Sequence, residues 1–183
     1  MSMQGKKQLE QDTTVNAPAG AVYRLFMDNA ELANWAPAVD AVTHEHGGDE
    51  TGLGATRTCA VTMNGKKGTM VERCVEAVPS ARASFLVVDD SFGFTKMFTG
   101  YGFTAHFTPA AGGRTAVRIE TFYTPANPIA AGLNKLVMRR RLQGVVGQLL
   151  AGLRALAERR QTQPEDLTLH ADTPGRGQIR QRS

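Results

Sequence analysis

Residues 15–37 read VNAPAGAVYRLFMDNAELANWAP, and the change of period inside this stretch sets the architecture of the chain. Upstream, residues 8–16 alternate weakly, as a half-buried strand does. From Asn16 the pattern turns helical: Asn16 is suited to cap, Pro18 is tolerated in a first turn, and Val22, Leu25 and Phe26 recur on one face. Asp28-Asn29 ends that helix, and residues 31–35 have room for one more turn before Pro37 stops it. A strand followed by two short helices is therefore predicted.

Beyond Val39 the period drops to two, and Gly, Pro or Asn-Gly punctuation divides the chain at 47–48, 52–54, 64–65, 79–80, 91–93 and 110–113. Six strands are predicted, over 39–46, 54–63, 67–78, 82–89, 95–108 and 114–124, making seven with the first. Connections this short imply antiparallel pairing, because parallel neighbours need crossovers of a dozen residues or more. Asn127-Pro128 then opens a long helix, with Asn as cap and Pro at the first position.

Spacing at 100° per residue puts Met138, Leu142, Val145, Val146, Leu149, Leu150, Leu153 and Leu156 on one arc of that helix. Arg140, Arg141, Gln148, Arg154 and Glu158 lie opposite. Ile129, Leu133, Leu136 and Val137 fall on a different arc. The helix therefore either kinks between Gly132 and Met138 or packs its first turns against something else, and this phase break is the candidate rim of whatever the sheet encloses.

The chain has 183 residues, 42% of them apolar. That suits one domain over 1–160, able to bury roughly 70% of its unfolded surface. Residues 161–183 and 1–7 are too polar to offset their ordering entropy and read as disordered ends. No run approaches the ~20 apolar residues of a membrane span, and the first dozen residues do not read as a signal peptide, so a cytoplasmic protein is expected. Cys59 and Cys74 form neither a disulfide framework nor a Cys-x-x-Cys site. Of the net charge of +4, residues 126–160 contribute +6, with seven Lys and Arg against Glu158 alone. This helix face is either a solvated surface or a peripheral contact for an anionic membrane or protein; no nucleic-acid partner is expected.

This order of elements, with Ala17-Pro18, Val22 and Phe26, the Asn34-Trp35 turn, Gly52-x-Gly54-x-x-Arg57, Glu72 followed by Pro79, Thr115 with Val117, and Pro125 before the last helix, resembles the START-like (SRPBCC) superfamily over residues 8–160. That superfamily includes polyketide cyclase/dehydrase-like and lipid-transport proteins. The resemblance implies an α+β helix-grip fold, a seven-stranded curved antiparallel sheet wrapped around a long C-terminal helix. It also implies a cavity for a small apolar partner: a lipid, polyketide, isoprenoid or aromatic molecule. Some members are cyclases or aromatases and many are carriers, so carriage without catalysis and cyclase or dehydratase chemistry both stand, with carriage the leading reading.

Several residues are candidates to line such a cavity. If Asn64-Gly65 is a two-residue type I′ turn, Met63 opposes Lys66 and Arg57 falls opposite Glu72. Alternation then sets Arg57 on the apolar face shared by Cys59, Val61 and Met63. The pair either projects inward, to orient a polar ligand group, or faces out as a surface ion pair; a longer turn would place Arg57 opposite Cys74. Tyr101, Phe103, Ala105 and Phe107 share the face that looks inward, and Gly100 and Gly102 suggest a bulge beside Tyr101. Tyr101 either donates a hydrogen bond to a ligand or is a core tyrosine. Phe26, Trp35, Met63, Met70, Leu133, Met138 and Leu142 complete the predicted lining, with Met97 a further adaptable neighbour. Trp35 either walls the entrance or staples the helices to the sheet. His44-x-His46 has strand spacing but no third ligand, and His106 is expected to face outward, so no metal site is assigned. No serine elbow, Walker loop, complete Gly-x-Gly-x-x-Gly or His-Glu-x-x-His occurs; no catalytic residue and no cofactor are assigned.

Overall fold

The computed structural model describes residues 5–162. Seven strands form one antiparallel sheet: β1 (Lys7–Val15), β2 (Val39–His46), β3 (Thr56–Met63), β4 (Lys66–Val78), β5 (Arg82–Asp90), β6 (Phe98–Ala110) and β7 (Arg114–Pro125). Their order is β1-β7-β6-β5-β4-β3-β2, a six-strand meander with β1 added beside β7. Helices α1 (Ala19–Met27) and α2 (Leu32–Trp35) connect the two edge strands. The concave side of the sheet receives the C-terminal helix, built as α4 (Pro128–Leu133), a π-helical turn (Asn134–Met138) and α5 (Arg139–Thr162).

The expected α1 begins two residues late. Its cap is Pro18 in an extended conformation with no side-chain hydrogen bond, whereas the Asn16 backbone N–H donates to Glu158 Oε1 at 2.9 Å and ties the loop to α5. The predicted sixth strand also starts late. Residues Phe94–Met97 form a helical turn, α3, because Asp90 accepts hydrogen bonds from the backbone N–H groups of Phe92, Phe94 and Thr95 and from the Thr95 hydroxyl. Four residues are too few to reveal a helical period: Phe94 and Met97 are three apart, but Phe92 and Phe94 just before them are two apart, as in a strand.

The phase break has a physical origin. The Arg139 N–H bonds to the Asn134 carbonyl, five residues back, so one extra residue is accommodated and α4 is rotated relative to α5. Asn127 caps α4 by accepting from the Ala130 N–H. Asn134 itself is buried, and its Oδ1 accepts the Tyr123 hydroxyl at 2.6 Å, which pins the turn to β7.

Packing divides the interior in two. Around Phe26, Trp35 stacks at 5.5 Å and Phe107 meets it edge-on at 5.3 Å, with Phe85 and Phe103 beyond; Val146, Leu150, Leu153 and Ala157 of α5 close over this end. A smaller cluster of Phe98, Tyr123 and Ala130, flanked by Phe94, Met97, Tyr101, Met138 and Leu142, occupies the α4 end. Leu142 touches both clusters.

Candidate functional site

Asn64 and Gly65 both adopt positive φ, 51° and 74°, the backbone of a type I′ turn. The register follows from it: Met63 opposes Lys66 and Arg57 opposes Glu72. Arg57 is only 4% exposed. Its Nε donates to Glu72 Oε2 at 2.8 Å, its Nη2 lies 2.7 Å from the same oxygen in the ion pair, its Nη1 donates to Asn29 Oδ1 at 2.8 Å, and its guanidinium carbon lies 4.2 Å from the centre of the Phe85 ring. The pair therefore lies on the inner face of the sheet, on the side of Cys59, Val61 and Phe85.

Glu72 opposes Val87 on β5, and Phe85 opposes Phe103 on β6. The β5–β6 pairing ends at Leu86 opposite Gly102; Tyr101, two residues before Phe103, lies near enough for the Glu72 charge to act on its hydroxyl, so Arg57, Glu72 and Tyr101 follow one another as a row on the concave face. The β6–β7 register shifts between Thr99 and Gly102, and Gly100 has φ of 60°, which is the bulge that aims Tyr101. Its ring meets Phe94 and Tyr123 edge-on. Burial raises the Tyr101 hydroxyl well above the usual phenol value, and the charges of Glu72, Tyr123 and Asp90 push the same way, so it stays protonated. Asp90 opposes Met70 on this face. Burial alone would raise its carboxyl, but the hydrogen bonds from Thr95, Phe94 and Phe92 outweigh that and hold it below the usual carboxylate range.

Of the predicted lining, Phe26 and Trp35 are buried in the aromatic cluster at the closed end. Met63, Met70, Phe103 and Leu142 are half-buried against the first cluster, and Tyr101 and Met138 against the second. Leu133 is 38% exposed and Ile129 84%, both on the α4 side of the π turn, whereas Met138 and Leu142 beyond it are half-buried. Sequence reasoning missed Asn29, which it used only as a helix stop, as well as Asp90 and Phe92. Phe92 packs over Gly68 of β4, where a Cβ would lie 2.5 Å from its ring. The Asp-Ser-Phe-Gly run, read as punctuation, carried the signal for that fold-back. The Trp35 indole N–H and the Tyr23 hydroxyl are buried without a hydrogen-bond partner among the described residues.

Two grooves of about 370 and 340 Å3 flank α5, one beside β1 and one beside α1. Neither is lined by a predicted site residue. His44 and His46 are exposed, and His106 faces Glu120 on the outer side of the sheet at 3.2 Å. No group of three potential metal-ligating side chains occurs among the described residues. No described helix is long and apolar enough to cross a membrane. On the basic helix face, Arg160 is paired with Glu31 at 2.6 Å and Arg154 with Glu158 at 3.1 Å, while Arg139, Arg140 and Arg141 are exposed. The end expected to be disordered lies, from residue 163 on, outside the described residues, as do residues 1–4; α5 runs two residues past the expected domain end.

Cys59 and Cys74 are both buried and free. Burial, reinforced by the Glu72 charge and only partly offset by Arg57, pushes the Cys59 thiol from its ordinary 9.0 up to about 12. The folded state therefore holds this proton where the unfolded chain releases it, and stability from this source, complete below about pH 9, is lost as pH rises toward 12. The native protein is expected to leave both thiols unlabelled by a thiol-specific chromogenic reagent at pH 8 and to expose two on unfolding. Its urea midpoint should fall between pH 8 and pH 10.5, and Cys59→Ala should flatten that fall. Rapid labelling of the native state at pH 8 would contradict the burial.

A curved antiparallel sheet gripping a C-terminal helix, with an ion pair set into its apolar concave face, defines the START-like, helix-grip class of proteins. Within it, the chain belongs to the polyketide cyclase/dehydrase and lipid transport family, whose model matches residues 6–158. No curated protein sequence matches the chain. Among solved structures, the di-domain ARO/CYC BexL from the BE-7585A biosynthetic pathway superposes with a TM-score of 0.67 at 24% identity, over 84% of this chain and 47% of that one. The ZhuI aromatase/cyclase from Streptomyces sp. R1128 gives 0.62 at 19% identity, over 84% and 94%. TTHA0849 from Thermus thermophilus gives 0.60 at 25% identity, over 81% and 95%.

Proposed function

We propose that the protein binds a small apolar molecule between the concave sheet and the C-terminal helix and carries it without chemical change. One observation carries this reading: a buried, fully oriented ion pair stands on an inner face whose apolar neighbours Met63, Met70, Phe103, Leu142 and Met138 are half-buried rather than sealed. A charge pair in a closed apolar core is on balance often no better than a hydrophobic pair, so its presence here fits a role toward something that enters. Affinity would come mainly from apolar burial at about 25 cal/mol per Å2, with Arg57, Glu72 and Tyr101 orienting the polar end. Native mass spectrometry and organic extraction of the purified full-length chain test this. A defined co-purifying apolar molecule is the expected result. A chain that neither co-purifies with nor takes up any apolar compound overturns it.

Cyclase or dehydratase-like chemistry is the second reading. Two aromatase/cyclases share the fold, and the Tyr101 hydroxyl makes no hydrogen bond to the described protein beside the Glu72 carboxylate, an acid and a base on one row. Turnover of a poly-β-ketone model substrate that Tyr101→Phe abolishes, with ligand affinity retained, would favour it over carriage. A peripheral membrane contact through the basic helix face is less well supported, because two of its arginines are already paired with carboxylates.

A further inference from the structure

Charge and hydrogen-bond accounting on the inner row narrows what the polar end of such a ligand can be. Arg57 has no unpaired charge to offer: three of its nitrogens are committed to Glu72 and Asn29, and its face lies on Phe85. Two carboxylates, Glu72 and Asp90, stand on the concave face with Arg57, while the exposed cation Arg139 acts on Tyr123. Asp90 has both oxygens occupied by donors of the α3 turn. Glu72 differs: every hydrogen bond it accepts within the described protein goes to Oε2, and Oε1 receives none. Next along the row is the Tyr101 hydroxyl, a neutral donor and acceptor.

From this arrangement we infer that the site selects an uncharged ligand whose polar end is a hydroxyl, donating to Glu72 Oε1 and accepting from Tyr101, and that it discriminates against carboxylates and phosphates. Glu72 is the specificity-determining residue. A carboxylate head group would meet the Glu72 and Asp90 charges and find Arg57 already paired, and it would bring no proton for Oε1. A hydroxyl supplies the missing donor and accepts in return. The Phe85, Phe94 and Phe103 rings around the row suit a flat aromatic body. The inference rests on the binding reading above, and the probes are chosen to separate the two.

Titrating the full-length protein at pH 7 with naphthalene, 2-naphthol and 2-naphthoate, followed by calorimetry or ligand fluorescence, tests it. Naphthalene reports on the apolar site alone. The expected order is 2-naphthol at least tenfold tighter than 2-naphthoate in the unaltered protein. Glu72→Gln, which keeps the size and frees the Arg57 charge, should strengthen 2-naphthoate at least tenfold and weaken 2-naphthol. Tyr101→Phe should lower the preference for 2-naphthol over naphthalene. Naphthoate binding as tightly as naphthol to the unaltered protein overturns the selectivity while leaving the binding reading standing, whether or not the variants fold. Binding of none of the three probes overturns both.

Discussion

Arg57→Met is expected to destabilise the protein by about 3–5 kcal/mol, the usual cost of leaving one member of a buried ion pair without its partner. Glu72 would then hold a carboxylate on an apolar face with its side chain 12% exposed, and Asn29 would lose the donor it now receives. The cation above Phe85 would vanish as well, removing about 0.5–2 kcal/mol more of contact energy. The paired change Arg57→Met with Glu72→Leu should recover most of that loss, to within about 1–2 kcal/mol of the parent, since two apolar side chains can replace a buried pair with little net cost. Urea denaturation of the three proteins measures this directly. If the single variant matches the parent within about 1 kcal/mol, the pair is not buried in the way described. If the double variant is stable and keeps the parent's full preference for 2-naphthol over naphthalene, Glu72 does not orient the ligand.

Gly152→Ala should also destabilise, and here two effects oppose each other. Glycine inside a helix costs roughly 0.8–1 kcal/mol relative to alanine, so propensity alone predicts a gain. At this position, however, a Cβ would land on the carbonyl oxygen of Trp35 and 3.0 Å from its carbonyl carbon. Both partners are backbone, so no rotamer change relieves the clash and α2 must move off α5. Overpacking of about 3 kcal/mol less the propensity gain leaves a net loss on the order of 2 kcal/mol, which is about 4–8 °C in Tm at this size. Gly144 lies in the same helix, and a Cβ added there would meet nothing within 4 Å, so Gly144→Ala should stabilise by roughly 0.5–1 kcal/mol. Thermal unfolding followed by circular dichroism reads both signs. Equal shifts in the same direction would remove the α2–α5 contact as the explanation.

Much of the fold could be read from local chemistry because its decisive signals are short and physically strict. Asn64-Gly65 demands left-handed backbone at two successive positions, and that one constraint fixed the β3–β4 register and with it the Arg57–Glu72 pair. The helical arc from Met138 to Leu156 was equally plain, since burial of Val146, Leu150 and Leu153 repeats at helical spacing. What escaped depended on side chains reaching across the fold. Asn29 looks like a helix stop until Arg57 arrives from a strand 28 residues later. Asp90 looks like part of a turn until its two oxygens gather four donors and build α3. Leu133 shows the limit most clearly: its sequence declared that α4 and α5 differ in phase, but the direction of the swing depends on the extra residue and on the Tyr123–Asn134 hydrogen bond, which periodicity does not contain.

That extra residue makes the last helix unusually sensitive to chain length. Removing one position from residues 134–138 would restore a continuous 3.6-residue repeat and turn α4 by about 100° about its axis. Ile129 and Leu133 would move into the buried positions now held by Ala130 and Asn134 without any change in their identities. A single-codon deletion or insertion here would therefore change which α4 side chains are exposed and which are buried, with no substitution in the sheet or α5.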